Sequence, residues 1–361
     1  IDSALETYRK EYGEYYAKHA LKDSPRMRDA SPTVVLVPGV GMFSFGRNKA
    51  ESRITGELYA GAIHVMRGAG SLGGDSESEA PCTDVPQAGP AAGPAEFTIY
   101  QNYVALPPSE AFRIEYWALE EAKIQRQPPE KELSRRIVLI AGGGSGIGRE
   151  VALLAAQRGA HIVVADRDTE GAEAVCDEAR AIAGKEAVTW TSIDIRDRKA
   201  IRSALDATVK QFGGIDILIN TAVIFPSSPS SPDGIINDAM WASALEVNVT
   251  ANSMLTDEAY PLFTAQGIDA SVVLTSSANA VVAQKDSQAR DVSRAAFSHL
   301  VRELAVTYSP RVRVNGVSHA TVIEGINPRD CAQAILFLAG PLAPATTGHI
   351  MPVDGGLTLE P

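Results

Sequence analysis

The sequence predicts an α/β fold built on a doubly wound parallel sheet of seven strands. From Ser134 onward, apolar runs alternate with amphipathic stretches at helical spacing. The apolar runs are continuous in Val and Ile, as expected for parallel strands buried on both faces. The first of them leads directly into a glycine cluster, Ala141–Gly148, and then into a helix. Alternation of strands and helices in this order is typical of a sheet covered by helices on both sides.

Each apolar run and each amphipathic stretch after residue 134 is assigned to one element. The predicted strands are Ile137–Ala141, His161–Asp166, Ala187–Asp194, Ile215–Asn220, Ser271–Ser276, Arg311–Ser318 and His349–Val353. The predicted helices are Gly146–Gly159, Glu170–Ala183, Lys199–Phe212, Ala239–Leu262, Val292–Tyr308 and Arg329–Leu338.

Residues 1–126 have a different pattern and predict a separate α+β domain. Residues 68–95 consist mostly of Gly, Ala, Pro, Ser, Asp and Glu, too polar to offset the entropy of ordering, so we predict a flexible insertion. Pro128-Pro129 indicates a linker over 127–133, which leaves 134–361 as the second domain. The other predicted elements of the first domain are a helix within residues 1–31 followed by a break at Ser24-Pro25, two short strands within Thr33–Phe45, a helix over Lys49–Met66, a strand at Phe97–Tyr100 and a helix over Ala111–Gln125.

The composition excludes several classes of function. The net charge of −11 argues against a nucleic-acid partner, which needs basic surface. No apolar run is long enough to cross a bilayer. The three cysteines and six histidines are scattered, so we expect no metal site and reduced cysteines in a cytoplasmic protein. The start at Ile1 without Met is typical of a processed product or a fragment.

The glycine cluster predicts a dinucleotide site. Gly142, Gly146 and Gly148 lie at a strand-to-helix turn, where backbone N–H groups and the helix dipole bind a pyrophosphate. Asp166 ends the next strand, suited to the adenosine ribose hydroxyls, and it would repel a 2′-phosphate. NAD is therefore favoured over NADP, although Arg167 leaves room for NADP. Asp194 ends the third strand and could accept a hydrogen bond from the adenine amine.

These motifs resemble the short-chain dehydrogenase/reductase family, whose fold is a Rossmann-type sheet. The resemblance covers residues 134–357 and is carried by Ala141–Gly148, Asp194, Asn220, the stretch Glu246–Val249, Arg313–Gly316 and the ending His349–Gly356. It implies NAD as cofactor and a small-molecule substrate. The cofactor-binding residues it implies, with those argued above, are Gly142, Ser145, Gly146, Ile147, Gly148, Asp166, Arg167, Asp194, Ile195, Asn220, Ala222 and Val322.

The first domain resembles the end of a class II aldolase. Val37–Gly46, Ala60–Met66 and Ile114–Lys123 are similar to proteins that fuse such an aldolase to a short-chain dehydrogenase, of the rhamnulose-1-phosphate aldolase/L-lactaldehyde dehydrogenase type. The resemblance implies an aldolase remnant without the upstream zinc histidines and catalytic carboxylate. We therefore expect no aldol cleavage, and the substrate that the resemblance implies is a small alcohol or hydroxy-aldehyde.

The catalytic positions implied by the resemblance depart from the family pattern. Ser277 matches the serine that holds the carbonyl oxygen, and Asn248 the asparagine that supports a water. Thirteen residues after Ser277, where the family has its acid/base tyrosine, the chain has Arg290, and four further on, in place of the lysine, it has Arg294. A guanidinium does not release its proton near neutral pH, so neither arginine replaces the tyrosine.

Two interpretations of this arginine pair stay open. The two cations could polarise a carbonyl or bind an anion. They could instead form a solvated, salt-bridged helix face with Asp291, and this is favoured because charged residues usually lie on the surface.

Three further departures lie nearby. Val223 replaces the family's glycine after the fourth predicted strand. His319 follows the sixth and is a candidate substitute base, although a solvent-facing loop histidine is the favoured interpretation. Only Thr321–Pro328 separates this strand from the next helix, where the family has a longer substrate lid; either the lid is truncated or residues that belong to it are omitted.

Two hypotheses of function follow. The first is an NAD-dependent oxidoreductase whose acid/base residues are replaced. The second is a redox-silent nucleotide-binding or assembly module. The resemblance also implies a homodimer or homotetramer paired through Val292–Tyr308, where Phe297, Leu300, Val301 and Leu304 fit either that interface or the core.

Overall fold

The computed structural model describes residues 2–72, 106–223, 238–277, 280, 287–320 and 327–359. Contacts divide the chain into two compact units, Ile1–Pro129 and Glu130–Pro361. The division lies within the stretch predicted as a linker. The strand predicted at Phe97–Tyr100 and most of the predicted insertion lie outside the described residues.

The first unit contains four helices and one hairpin in its described part. Strands β1 and β2 pair antiparallel. The elements are α1 (Asp2–His19), β1 (Val34–Val37), β2 (Gly41–Ser44), α2 (Lys49–Leu72), α3 (Pro108–Glu115) and α4 (Ala118–Gln125).

Three predictions for this unit were wrong in detail. Helix α1 ends at His19, well before residue 31. Helix α2 continues to Leu72, beyond the predicted end at Met66; adding residues to an existing helix is far easier than starting one. The helix predicted over Ala111–Gln125 is broken at Tyr116, which is buried against Phe112 with ring centroids 4.6 Å apart, and Trp117 is extended.

The second unit is a seven-stranded sheet in which every described strand pair is parallel. The strand order is β5-β4-β3-β6-β7-β8-β9. The predicted α/β class is confirmed, with strand ends shifted by one to two residues in most cases. The strands are β3 (Ile137–Ala141), β4 (His161–Asp166), β5 (Val188–Ser192), β6 (Ile217–Asn220), β7 (Ala270–Ser277), β8 (Val312–His319) and β9 (Ile350–Val353).

Helices cover both faces of this sheet. Alternate strand residues face opposite sides, so Val138 and Ile140 lie in one core cluster while Leu139 and Ala141 lie in the other. Helices α5, α6 and α11 pack in the first cluster, and α7, α9 and α10 in the second. The helices are α5 (Gly146–Gln157), α6 (Thr169–Ala183), α7 (Arg198–Phe212), α8 (Asp238–Leu245), α9 (Ala251–Gln266), α10 (Gln288–Tyr308) and α11 (Pro328–Ala339).

Two predicted helices of this unit differ from the structure. The run predicted as one helix over Ala239–Leu262 consists of α8, a π-helical segment at Glu246–Thr250 and α9. Helix α10 begins at Gln288, one turn before the predicted start. Three of its four apolar residues with an ambiguous role, Phe297, Val301 and Leu304, lie in the core.

Candidate functional site

A glycine turn joins β3 to α5 and packs closely against its own backbone and the loop after β6. Gly142 has φ +78° and Gly146 φ +52°, a region that other residues rarely adopt. A Cβ on Gly142 would overlap the backbone of Ala222, and one on Gly148 would overlap the Gly142 carbonyl oxygen. Helix α5 begins immediately after Ser145. Its N-terminal N–H groups and dipole therefore face the turn, as a pyrophosphate requires.

The end of β4 fixes a carboxylate beside this turn. Asp166 Oδ2 accepts a hydrogen bond from the Gly144 N–H at 2.9 Å, and Oδ1 accepts one from the Asp168 N–H at 3.0 Å. Both oxygens keep a further lone pair for ribose hydroxyls. The position of Asp166 is therefore set by the backbone before any ligand binds.

Asp194 has a partner that the sequence did not indicate. Arg196 Nε lies 3.0 Å from Asp194 Oδ1 and Nη2 lies 2.6 Å from Oδ2, a bidentate ion pair. This pairing with Arg196 lowers the pKa of Asp194 to about 2. The carboxylate is therefore fully ionised, and its oxygens have fewer lone pairs left for an adenine amine.

Residues after β6 close the other side of the turn. The Thr221 hydroxyl lies 3.0 Å from the Ala141 carbonyl oxygen and 2.9 Å from that of Gly142. Asn220 is buried, accepts a hydrogen bond from the Ala222 N–H at 3.0 Å and donates to Asn252 Oδ1 at 2.6 Å. Asn220 thus fixes the loop after β6 by a hydrogen bond to Ala222, although Asn220 itself does not line the cleft.

These elements enclose a cleft of about 480 Å³ at the carboxyl edge of the sheet. Such a position, where the strand order changes direction between β3 and β6, is where open α/β sheets bind ligands. Of the predicted cofactor residues, ten line the cleft, namely Gly142, Ser145, Gly146, Ile147, Gly148, Asp166, Arg167, Asp194, Ile195 and Ala222. Val322 lies outside the described residues. The glycine turn, the helix N-terminus and the fixed carboxylate fit a dinucleotide.

The cleft also contains residues that sequence reasoning did not select for the cofactor. Arg196 and Thr221 are polar and directly follow or precede predicted cofactor residues in the sequence. That adjacency is the one sequence feature that points to them. Pro328 and Cys331 come from the start of α11, which is distant in sequence, and no local pattern indicates them. Burial raises the pKa of the Cys331 thiol to about 11, so it stays protonated at neutral pH.

The predicted catalytic serine and asparagine are buried at the far end of this edge. Ser277 ends β7 and pairs in register with His319, which ends β8. Asn248 lies in the π-helical segment, and its Nδ2 donates to Ser293 Oγ on α10 at 3.1 Å. Helix α10 thus connects the asparagine to the two arginine positions.

The solvated interpretation of the arginine pair was wrong for Arg294. Its side chain is only 1% exposed, whereas Arg290 is half-buried, donates to Ser287 Oγ at 2.6 Å and lies 3.5 Å from Asp291 Oδ1. Arg294 shares the inward face of α10 with Phe297, and packing of that face decides its burial. Burial, and then the charge of Arg290, lowers the pKa of Arg294 to about 10. It therefore stays charged at neutral pH.

The expectation of a solvent-facing His319 was also wrong. His319 is the last residue of β8, only 7% exposed, and lines the cleft. Burial, and then the charge of Arg294, lowers its pKa to about 4. The imidazole is therefore neutral at pH 7 and can still accept a proton, although weakly.

The described part of the chain contains neither a group of side chains suited to a metal ion nor a membrane-spanning helix. Within those residues no group of His, Cys, Asp and Glu side chains could hold a metal ion. Among the same residues, no helix combines the length and apolar character needed to cross a bilayer.

Comparison with known proteins matches both units. Residues 1–124 match the family model "Aldolase class II, second domain", and residues 136–327, more than half of the chain, match "short chain dehydrogenase". YuxG of Bacillus subtilis (strain 168), an uncharacterized oxidoreductase, is 30% identical over 99% of this chain, and the chain spans about half of YuxG, 52% of its length. The cis-4-hydroxycyclohexanecarboxylate dehydrogenase of Sinomonas cyclohexanicum is 31% identical over 62% of this chain and 97% of that protein.

Solved structures agree with the sheet topology. A putative short-chain dehydrogenase/reductase from Burkholderia xenovorans has a TM-score of 0.59 at 27% identity, covering 64% of this chain and 99% of that one. Carveol dehydrogenase from Mycobacterium avium, solved in complex with NAD, has a TM-score of 0.58 at 23% identity, covering 64% of this chain and all of that one, and shows the shared fold. The chain belongs to the short-chain dehydrogenase family of oxidoreductases, with a class II aldolase-like unit at its N-terminus.

Proposed function

We propose that the chain binds NAD, in preference to NADP, in the cleft at the carboxyl edge of the sheet. The observation that carries this proposal is the glycine turn at the start of α5, beside a carboxylate fixed by two backbone amides. The turn offers N–H groups to a pyrophosphate, and Asp166 offers acceptors to ribose hydroxyls while repelling a 2′-phosphate.

The substrate we propose is a small alcohol or hydroxy-aldehyde. Relatives named for hydroxylated substrates support an alcohol, among them cis-4-hydroxycyclohexanecarboxylate dehydrogenase and the glucose 1-dehydrogenase of Gluconobacter oxydans. NAD, when bound, supplies a hydride acceptor. Of this chain's residues, the Ser277 hydroxyl would hold the substrate oxygen and Asn248 a water.

Proton transfer is the weak step of this proposal. Arg290 and Arg294 do not release a proton near neutral pH, which leaves His319 as the candidate acceptor among the described residues of the cleft. Its pKa of about 4 makes it a poor base at pH 7. Because a positioned acid/base is worth about 10²–10⁴-fold in rate, we expect slow turnover.

A redox-silent nucleotide-binding or assembly module is the second candidate. The missing acid/base tyrosine favours it, because the chain has Arg290 at that position and a guanidinium does not transfer protons near neutral pH. The cytoplasmic location and the homodimer or homotetramer expected from the sequence stay predictions.

Titration of NADH fluorescence tests the common part of both candidates. We expect saturable binding by the native chain, loss of about 10-fold or more in affinity for Asp166→Ala, since hydrogen bonds to charged groups contribute about 1.5–3 kcal/mol, and no change for the exposed Asp206→Ala. Absence of NADH binding by the native chain would refute the oxidoreductase and the nucleotide-binding module and leave an assembly module.

Turnover of lactaldehyde and other small alcohols then separates the candidates. Slow NADH formation supports the oxidoreductase, and binding without turnover supports the silent module. The double variant Arg290→Tyr with Arg294→Lys should raise the rate about 10²–10⁴-fold if the rest of the pocket is competent.

A further inference from the structure

A buried polar cluster lies where the first turns of α10 meet the π-helical segment and the ends of β7 and β8. We propose that this cluster, which we call the arginine cluster (Asn248, Ser277, Ser293, Arg294 and His319), binds a small hydroxy acid by its carboxylate and its hydroxyl group. The inference rests on the proposed function in one respect, that the substrate occupies the same edge of the sheet as the dinucleotide. It narrows the substrate class from any small alcohol to one that carries a carboxylate.

The members of the arginine cluster come from four elements, namely the π-helical segment, α10, β7 and β8. Ser293 Oγ accepts from Asn248 Nδ2 at 3.1 Å, which joins α10 to the π-helical segment. Ser277 and His319 are register partners at the ends of adjacent strands. Both strands pack against α10. All five side chains are buried, and His319 also lines the cleft, so the cluster borders the dinucleotide site.

The charges of this region favour an anion. The first two turns of α10 carry two guanidinium groups, Arg290 and Arg294, and one carboxylate, Asp291, which lies 3.5 Å from Arg290. His319 adds no charge at neutral pH, as its lowered pKa requires. A guanidinium has five N–H donors in a planar fork that matches a carboxylate, so Arg294 can keep its contacts with the protein and still bind one.

A second observation points to a ligand hydroxyl. Ser293 Oγ donates to the Arg290 carbonyl oxygen at 2.9 Å, so it accepts from the Asn248 amide group, and Asn248 must present Oδ1 on its other side. Within the described residues Asn248 Oδ1 has no hydrogen-bond partner, although the side chain is only 1% exposed. A buried acceptor of this kind needs a donor. The water proposed above for Asn248 supplies one while the site is empty, and the hydroxyl of a bound hydroxy acid takes its place.

The test compares two ligands that differ in one group. L-Lactate and (S)-propane-1,2-diol share a carbon chain and a hydroxyl, and the diol has CH₂OH where lactate has a carboxylate. Dissociation constants are measured by ligand-observed NMR titration of the full chain, with and without NADH. The reduced cofactor cannot accept a hydride, so neither ligand is oxidised during the titration. We expect lactate to bind about 10- to 100-fold more tightly than the diol, as expected for hydrogen bonds to a charged group.

Substitutions on α10 test whether Arg294 causes the preference for lactate over the diol, and one at Asn248 tests the role of the hydroxyl. Arg294→Met, of similar length, should remove the preference for lactate and leave the affinity for the diol unchanged. Arg294→Lys should retain part of it, and the matched control Arg302→Met, on the exposed side of α10, should retain all of it. Asn248→Leu should weaken the binding of both ligands, since both carry the hydroxyl.

Equal affinity of the native chain for both ligands would overturn the inference, and that comparison needs no variant to fold. Persistence of the preference in a folded Arg294→Met chain would overturn it as well. NADH binding without selectivity for lactate refutes the hydroxy-acid inference alone. Selective binding of lactate without NADH binding refutes the proposed function alone.

Discussion

Arg294 and His319 are two basic side chains buried in the same region, and only one of them is charged at neutral pH. Burial lowers the pKa of both groups, to about 10 for the guanidinium and about 4 for the imidazole. The ordinary value of arginine lies so far above neutrality that the shift leaves its charge intact, whereas histidine starts near 6.5 and loses its charge. The charge of Arg294 helps to keep His319 neutral.

The lowered pKa of His319 predicts a loss of stability in mild acid. The unfolded chain has the ordinary pKa near 6.5, so between pH 6.5 and pH 4 the unfolded state binds more protons than the folded state, and stability falls as the pH falls. From pH 7.5 to pH 5.0 we expect the free energy of unfolding to fall by about 2 kcal/mol more in the native chain than in His319→Gln. Urea unfolding at the two pH values measures this difference. If the free energy of unfolding falls equally in the two proteins, the lowered pKa of His319 does not cause the loss of stability.

At the scale of elements, one side chain fastens the π-helical segment to β6. Asn252, at the start of α9, accepts from Asn220 Nδ2 at 2.6 Å, and its own amide group lies 3.1 Å from the Asn248 carbonyl oxygen and 3.3 Å from that of Val247. A π-helical segment is rare and often occurs at functional sites. Here two of its backbone carbonyls, those of Val247 and Asn248, have a side-chain donor, and this holds the segment in place.

Removal of this link should destabilise the second unit. Asn252→Leu keeps the size of the side chain but leaves the buried Asn220 amide group without its acceptor, and each buried polar group left unsatisfied costs about 1–3 kcal/mol. We expect a fall of about 2–4 kcal/mol in the free energy of unfolding, measured by urea unfolding. The exposed Thr264→Val, on the same helix, should change it by less than about 0.5 kcal/mol. An unchanged free energy of unfolding in Asn252→Leu would show that this link does not stabilise the unit.

At the scale of the whole molecule, the cleft belongs to one unit. Every described residue that lines it lies between Gly142 and Cys331, within Glu130–Pro361. This unit also has its own two core clusters, one on each face of the sheet. The described residues of the cleft proposed to bind a dinucleotide therefore all belong to the second unit.

We predict that residues 130–361, expressed alone, fold and bind NADH with a dissociation constant within about two-fold of that of the full chain, since every described residue that lines the cleft belongs to this unit. Fluorescence titration of both proteins in parallel provides the measurement. A folded fragment with affinity weakened tenfold would show that the first unit contributes to the site.

The fold was predictable because its signals are local. Strand β3 and strand β4 have the predicted bounds, and the glycine turn between β3 and α5 is recognisable from a dozen residues. The burial of Arg294 was not predictable, because it depends on which face of α10 packs against the sheet. His319 was misassigned for a similar reason: β8 continues one residue further than predicted, and that residue is the histidine. The burial of a charged side chain depends on the packing of neighbouring elements, which its residue type and sequence position do not determine.

The Thr221 hydroxyl near the Gly142 carbonyl oxygen has a consequence for the time course of ligand binding. It joins the glycine turn to the loop after β6, and the tight fit of Gly142 against Ala222 leaves little room for either to move alone. Because the turn and the loop are already ordered in the free protein, ligand binding costs little conformational entropy at this surface. NADH association should therefore follow a single exponential whose rate constant rises linearly with concentration, without the plateau that a preceding rearrangement of this turn would impose.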